Sequence, residues 1–218
     1  MAKLSVTEAL RRRRAWKSFR PGPAMDDATL ADLVATALLT PTSYNLQHYR
    51  LIAVRDSARR EALCEAAHNQ RSIADAACVL VVAADPLAWM GAETRWQHLS
   101  EDHRGRIARS VAGTYADDER LSRDEAIRSG SMLAMSLMLV AEERGWQSCP
   151  YIGFSADAVA ALVDLPEDWM VVLLVALGHS EEGGRPRPPR LDVTTVLCDE
   201  SWRGPIDPAR LGDGGVDP

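Results

Sequence analysis

Two uninterrupted apolar runs dominate the hydrophobic pattern of the chain, "ACVLVVAAD" at residues 77–85 and "WMVVLLVALGH" at residues 169–179. Runs of this length without polar interruption predict central strands that are covered on both faces. A shorter run, "YRLIAVR" at residues 49–55, predicts a further strand. Segments with helical periodicity separate these strands, so the pattern predicts a fold that contains both helices and a sheet.

Capping signals place the ends of two helices. Ser5 followed by Glu8 has the spacing of a capping box and predicts a helix that begins near Val6 and ends before Pro21. Ser122 with Glu125 predicts a second such start, for a long helix that runs through Glu143 and is closed by Gly145. Apolar residues between 132 and 140 cover that helix nearly all round, which is typical of a core or of a subunit interface.

Other segments are less regular. Residues 25–39 and 57–70 have helical periodicity, whereas residues 87–121 predict irregular helix and connections. The tail from Gly183 onward is rich in Gly, Pro and charge and has no helical period. We therefore expect one domain at residues 1–182, and a C-terminal arm of the same domain at residues 183–218 whose end is flexible.

Composition excludes several classes of protein. The chain has 218 residues, a formal net charge of -6 and a pI near 5.4, which disfavours general nucleic-acid binding and polybasic membrane attachment. Its four cysteines form no C-x-x-C pair, and its five histidines show no ligand spacing, so no metal site is predicted. The first ten residues do not resemble a signal peptide, and no apolar segment is long enough to span a bilayer. These features predict a soluble, cytoplasmic protein.

A basic run, "RRRRAWK" at residues 11–17, is unusual in an acidic chain. If the first helix continues, Arg13, Arg14 and Lys17 extend the inner stripe that Val6 and Leu10 begin. Inward-facing cations need anionic partners, and guanidinium groups suit a phosphate. The alternative is that the helix ends before Arg13 and the run is solvated.

Two loops carry polar or flexible residues. In "TPTSYNLQHY" at residues 40–49, Ser43, Asn45 and Gln47 alternate with larger residues, so an extended stretch would direct all three toward a flat heteroaromatic edge. The alternative is a capped turn. In "GWQSCPYIGF" at residues 145–154, a proline and a glycine allow the backbone to approach a ligand closely, unless the stretch is only a connection to a strand.

Taken together and in this order, these motifs resemble the nitroreductase family of flavin mononucleotide (FMN) enzymes. "RRRRAWKSF" is similar to the family's R-R-S-x-R/K-x-F opening, and "TPTSYNLQHY" to its A-P-S-S-x-N-x-Q-P-W segment. "AAHNQRSIADAACVLVVAAD" and "GWQSCPYIGF" resemble later family segments, and "RPRPPR" resembles its basic tail. The resemblance implies an α+β fold with a mixed central sheet flanked by helices. It also implies an intertwined homodimer with an extended C-terminal arm and with FMN sites built by both chains.

The resemblance also assigns positions to the cofactor. By position, Arg13, Arg14 and Lys17 contact the phosphate, ribityl chain and ring, while Asn69 meets the pyrimidine edge. The full set of implied FMN-binding residues is Arg13, Arg14, Ala15, Lys17, Pro41, Thr42, Ser43, Asn45, Gln47, Asn69, Pro150, Tyr151, Ile152, Gly153, Arg187 and Arg190, with Pro41, Thr42, Ser43 and Asn45 supplied by the partner subunit. The prolines leave open whether Arg187 or Arg190 completes the phosphate site.

The implied activity is transfer of a hydride from NADH or NADPH through FMN N5 to an electron-poor acceptor, such as a nitroaromatic or a quinone, by a ping-pong mechanism. No protein nucleophile is needed, because the cofactor carries the chemistry. Lys17 is the candidate for electrostatic support of the reduced flavin. Two alternatives remain: a flavin carrier or sensor with little turnover, and nucleic-acid binding through the arginines.

Three positions depart from the family pattern. Ala15 stands where the family usually has Ser, and His48 with Tyr49 replaces Pro-Trp. Ile152 replaces a frequent Glu or Gly and makes the predicted site more apolar. The substrate and part of the FMN affinity depend on these positions.

Overall fold

The computed structural model describes residues 4–180 and 186–211. The chain divides into two compact units, Met1–Gly184 and Arg185–Pro218. The predicted flexible end, residues 212–218, lies outside the described residues. Among the residues described, no helix is both long and apolar enough to cross a membrane.

Among the described residues of the first unit, four antiparallel strands form one sheet. They are β1 (Tyr49–Val54), β2 (Cys78–Ala84), β3 (Gln147–Tyr151) and β4 (Met170–Gly178), and they lie in the order β1-β2-β4-β3. The helices around them are α1 (Val6–Arg12), α2 (Asp27–Ala37), α3 (Ser57–Ala66), α4 (Arg71–Ala74), α5 (Glu101–Tyr115), α6 (Glu119–Glu143) and α7 (Ala156–Leu162). The α+β class is confirmed.

The expectation of a mixed sheet is wrong for the described strands, because all three pairings are antiparallel. Apolar runs show that a strand is covered on both faces, but they do not show its direction. Here β2 is buried along its whole length, and its side chains alternate between two separate cores.

The two cores lie on opposite faces of the sheet. Val79 and Val81 of β2 pack in one core with residues of α3, α4 and α7. Leu80 and Val82 pack in the other core with α2 and α6. This arrangement explains why the strands show no polar alternation.

α1 ends earlier than expected. The Ser5–Glu8 capping box is confirmed, since the Glu8 amide donates to Ser5 Oγ and the Ser5 amide donates to Glu8 Oε2. Arg13, however, leaves helical geometry with φ -54° and ψ 130°. Val6 is 71% exposed, so the proposed inner stripe is wrong, and the alternative in which the helix ends before Arg13 is correct on that point.

α6 begins earlier than the second capping signal predicts. Its N-cap is Asp118, whose side chain accepts from the Leu121 amide at 2.8 Å. Ser122 is buried inside the helix and donates to the Tyr115 carbonyl at 3.2 Å, so the predicted box is wrong. The C-terminal prediction is confirmed: Gly145 has φ 81°, the left-handed conformation that closes a helix.

The second unit contains little regular structure between residues 186 and 211. α8 (Val193–Val196) is a single helical turn capped by Asp192, and a β-bridge joins Cys198 to Pro205. A 3-10 turn, Pro208–Arg210, follows.

Candidate functional site

The segment after α1 is fixed to the sheet by main-chain bonds. The Trp16 amide donates to the Ser148 carbonyl of β3 at 3.2 Å, and the Arg20 amide donates to the His179 carbonyl at 2.7 Å. Phe19 is buried against Gly178, where a Cβ atom would lie 2.7 Å from the phenyl ring. The predicted cations therefore lie on an extended segment beside β3 rather than on a helix.

Lys17 meets an aromatic ring at this edge of the sheet. Its Nζ lies 4.3 Å from the centroid of the Tyr151 ring, within the range of a cation–π contact. The Tyr151 hydroxyl shares a buried hydrogen bond with Ser72 Oγ of α4. Burial raises the pKa of Tyr151, so its phenol stays protonated and can donate.

The loop after β3 also lies here. The sequence predicts a loop at residues 145–154, whereas residues 147–151 form a strand and pair with β4. Pro150 fits because β3 is an edge strand of the described sheet. Ile152 beyond it is 82% exposed, which makes this part of the site open and apolar.

The α3–α4 connection completes this cluster. Gln70 Nε2 donates to the Gly153 carbonyl at 3.2 Å and links the two loops. Asn69 is exposed with φ 60°, a left-handed conformation that asparagine tolerates. Three segments far apart in sequence, residues 13–17, 69–72 and 150–153, therefore meet beside β3; we call them the β3 cluster.

The arginine run lies beside a buried acid. Arg12 Nε lies 3.4 Å from Glu142 Oε1, and only 6% of the Glu142 side chain is exposed. Arg14 Nη1 donates to the carbonyls of Arg11 and Arg13. An open cavity of about 440 Å3 lies here, lined by Arg11, Arg12, Arg14, Trp16, Glu142 and Gln147. The alternative in which the whole run is solvated is therefore wrong at Arg12, which pairs with this acid.

Burial raises the pKa of Glu142, while Arg12 and its neighbouring arginines oppose that rise. Glu142 Oε2 is buried and accepts no hydrogen bond within the described residues. The sequence pattern does not single out Glu142, although it follows Met138 by four positions on the buried face of α6.

The polar loop at residues 40–47 adopts a turn. Ser43–Asn45 is a 3-10 turn in which Tyr44 and Asn45 have positive φ, as does Gln47. The main-chain amide of Gln47 donates to Thr42 Oγ1 at 3.0 Å. The prediction of an extended stretch is therefore wrong. The alternative is correct in that the segment is a turn, but Thr42 at its N-cap position makes no side-chain capping bond.

Helices α5 and α6 hold this loop. Ser43 Oγ and the Tyr115 hydroxyl of α5 lie 2.6 Å apart, and Thr40 Oγ1 donates to Ser136 Oγ of α6 at 2.6 Å. Leu46 is buried with Tyr115 in a small separate core. The loop is thus positioned by helices and not by the strand that carries the β3 cluster.

The remaining predicted FMN-binding residues are Arg187, Arg190, Ala15 and Pro41. Arg187 and Arg190 lie in the second unit, before α8. Ala15 is exposed on the extended segment, and Pro41 is exposed in the polar loop. Ser72 was not predicted, because a buried serine in a short helix has no distinctive sequence signal. No group of three or more His, Cys, Asp or Glu among the described residues could hold a metal ion.

Comparison with solved structures gives the class of the fold. A nitroreductase-type protein from Exiguobacterium sibiricum, solved in complex with FMN, superimposes with a TM-score of 0.83 at 21% identity, covering 90% of this chain and 98% of that one. That identity shows a shared fold and no more. The protein thus has the α+β fold of the nitroreductases.

The chain belongs to the nitroreductase family, whose model matches residues 10–179. It is 34% identical to the protein DrgA of a Synechocystis strain, over 89% of this chain and 96% of that protein. It is 31% identical to MhqN of Bacillus subtilis, which carries the name of an NAD(P)H nitroreductase, over 88% and 97% of the two chains. The resemblance to this family of oxidoreductases is confirmed.

Proposed function

We propose that the protein is an FMN-dependent oxidoreductase that takes reducing equivalents from NADH or NADPH and passes them to an electron-poor acceptor by a ping-pong mechanism. Membership of the nitroreductase family supports the class of enzyme. The name of MhqN supports the nicotinamide donor, and the FMN complex of the Exiguobacterium protein supports the cofactor.

The residues of the β3 cluster fit such a cofactor. The fit rests on one observation: three segments that are distant in sequence meet at one edge of the sheet. They are the cationic segment at residues 13–17, the polar turn at residues 69–72 and the open loop at residues 150–153. FMN has a dianionic phosphate, a polar pyrimidine edge and an apolar ring, and each of these segments supplies the matching chemistry. When bound, FMN supplies the two-electron chemistry that the side chains lack.

Each segment has a distinct role in this proposal. Arg13 and Arg14 bind the phosphate and ribityl chain. Asn69 hydrogen-bonds the pyrimidine edge. The main chain from Pro150 to Gly153 lines the ring, with Ala15 beside the phosphate. Lys17 places a positive charge where the reduced cofactor is negative and so favours reduction.

The polar loop acts in the site of a second copy of the chain. The cofactor held by the β3 cluster of the partner subunit is contacted by Pro41, Thr42, Ser43 and Asn45. The support is that α5 and α6 hold this loop, whereas the cluster is held by β3. A homodimer with shared sites unites the two groups.

Nitroaromatics and quinones are the proposed acceptors. Both are flat and electron-poor, and the loop beside the cluster is open and apolar at Ile152, which is 82% exposed. An open face can bind a planar donor and a planar acceptor in turn, as a ping-pong mechanism requires.

Purification and initial-rate kinetics test this function. The protein should retain FMN through gel filtration, and rates measured at several fixed acceptor concentrations should give parallel double-reciprocal lines. Intersecting lines would contradict the ping-pong part alone. A protein that retains no added FMN would overturn the proposal, and one that retains FMN but shows no turnover would be a flavin carrier.

A further inference from the structure

Lys17 obtains its position from an aromatic ring rather than from an acid. Within residues 4–180 and 186–211, no carboxylate lies within ion-pair distance of its ammonium, whereas the Tyr151 ring centroid lies 4.3 Å away. Lysine has a flexible stem that loses considerable rotamer entropy when it is fixed. A contact is therefore needed if the charge is to remain at one point.

The ring itself cannot turn away. Tyr151 is 3% exposed and belongs to the core between the sheet and α3, α4 and α7. Its hydroxyl is hydrogen-bonded to Ser72, which is 4% exposed. The ring is thus fixed at both ends, by the backbone of β3 and by the hydrogen bond to Ser72 of α4.

An aromatic ring and a carboxylate differ in how they change the electric field of the Lys17 ammonium. A carboxylate would hold the ammonium but would also cancel its charge at short distance. The face of an aromatic ring attracts the ammonium through its quadrupole and leaves the net positive charge intact. Such a partner suits a lysine whose task is to stabilise negative charge nearby.

We propose that Tyr151, anchored by Ser72, is a positioning residue that holds the Lys17 ammonium where it raises the reduction potential of the bound cofactor. The effect on the cofactor rests on the proposed function, whereas the contact between Lys17 and Tyr151 is a property of this chain alone. The two parts can therefore be tested separately.

The contact can be tested without any cofactor. The chain has two lysines, Lys3 and Lys17, so reductive dimethylation with carbon-13 gives two lysine signals and that of the amino terminus. Methylation keeps the charge. The signal that disappears in Lys17→Met should be shifted upfield by the ring current of Tyr151, and Lys3 provides an internal reference.

Substitutions of the ring give the decisive comparison. Tyr151→Phe keeps the ring and should keep the upfield shift, whereas Tyr151→Leu should abolish it. Ser72→Ala releases the hydroxyl and should give a smaller upfield shift. If the leucine variant does not fold, Tyr151→Met takes its place, since methionine fills irregular core space. An unshifted Lys17 signal in the wild type, or one unchanged by loss of the ring, would overturn the proposal.

The potential of the bound FMN tests the consequence. Lys17→Met and Tyr151→Leu should each disfavour reduction by about tenfold, which is roughly 30 mV for a two-electron couple. The reduction potential of the double variant should be no lower than that of Lys17→Met, and Tyr151→Phe should restore most of the wild-type potential. Val159→Ala, a truncation in the same core, should lower stability without moving the potential.

The outcomes separate the two proposals. Additive effects in the double variant would mean that Tyr151 acts only through packing, and the positioning role would fail. If the wild type bound no FMN, the proposed function would fail, and the lysine signals alone would still decide whether the ring holds Lys17.

Discussion

The β3 cluster and the polar loop at residues 40–47 differ in how the chain holds them. The cluster is fixed by main-chain hydrogen bonds to the sheet and by the ring of Tyr151. The loop is fixed by side-chain hydroxyls of two helices, at Tyr115 and Ser136. The family resemblance nevertheless assigns both groups to one cofactor.

This difference shows what one chain can and cannot supply. Strand β3 gathers cations, an aromatic ring and an open loop into an arrangement that suits a phosphate and a flat ring. The polar loop has its own support, so it can serve a second copy without distorting the first. In the proposed homodimer, loss of the cluster removes the site of the same chain, whereas loss of the loop removes the site of the partner.

The largest expected effect is on the cluster. Arg14→Ala should weaken FMN binding by roughly tenfold to a hundredfold, since a hydrogen bond to a charged group contributes about 1.5–3 kcal/mol. The melting temperature should fall only as far as FMN is lost, because the ligand stabilises the folded state by mass action. Titration calorimetry and melting curves with and without FMN measure both.

Arg11→Ala is the matched control for that variant. It removes the same side chain from the exposed end of α1 and keeps the carbonyl that Arg14 contacts. FMN affinity should change little. Equal losses in both variants would mean that the run acts only through its total charge.

The next test mixes defective chains. Arg14→Ala damages the cluster and Asn45→Ala damages the loop, so each homodimer should bind FMN weakly. In an equal mixture, half of the dimers are mixed, and each has one intact site. About a quarter of the sites should therefore recover. No recovery in verified mixed dimers would place both residues in the site of one chain.

A smaller effect is expected at the support of the loop. Tyr115→Phe removes the hydroxyl that contacts Ser43 and should lower the free energy of unfolding by about 1 kcal/mol. FMN affinity should fall a few-fold through looser placement of the loop. Tyr44→Phe is the control, because Tyr44 is 37% exposed and its hydroxyl is 3.2 Å from Ser110. If denaturant unfolding showed that Tyr44→Phe loses more stability than Tyr115→Phe, the result would contradict this account.

The smallest effect concerns pH and the acid beneath the arginines. Burial raises the pKa of Glu142, so its protonation favours the folded state. That contribution is complete below its ordinary value of 4.5 and is lost as the pH rises through the raised value. Relative to Glu142→Gln, the wild type should therefore gain stability as the pH falls from neutral. Glu143→Gln controls for net charge. A difference in the free energy of unfolding between the wild type and Glu142→Gln that does not change with pH would contradict the prediction.

The sequence predicted those elements whose signal is local or depends on burial. The apolar runs of β2 and β4 identified central strands, because helices cover both faces. The Ser5–Glu8 box and Gly145 were found because capping depends on a few adjacent residues. The second box failed because the Asp118 side chain caps α6 before Ser122, which is buried.

Features that depend on distant contacts were missed. The helical period could not show that α1 ends at Arg12, since the Trp16 amide pairs with β3 instead of a helical carbonyl. β3 was not predicted because it contains Pro150, and a proline is rare in a strand except at an edge. The contacts of Ser72 and Glu142 follow from packing, so the sequence pattern carried no direct sign of them.

Anaerobic stopped-flow absorption of the FMN-loaded protein tests the central claim most directly. With NADH or NADPH and no acceptor, the flavin band should disappear, and a quinone or nitroaromatic added afterwards should restore it. A flavin band that persists with both nicotinamides would contradict the proposed oxidoreductase.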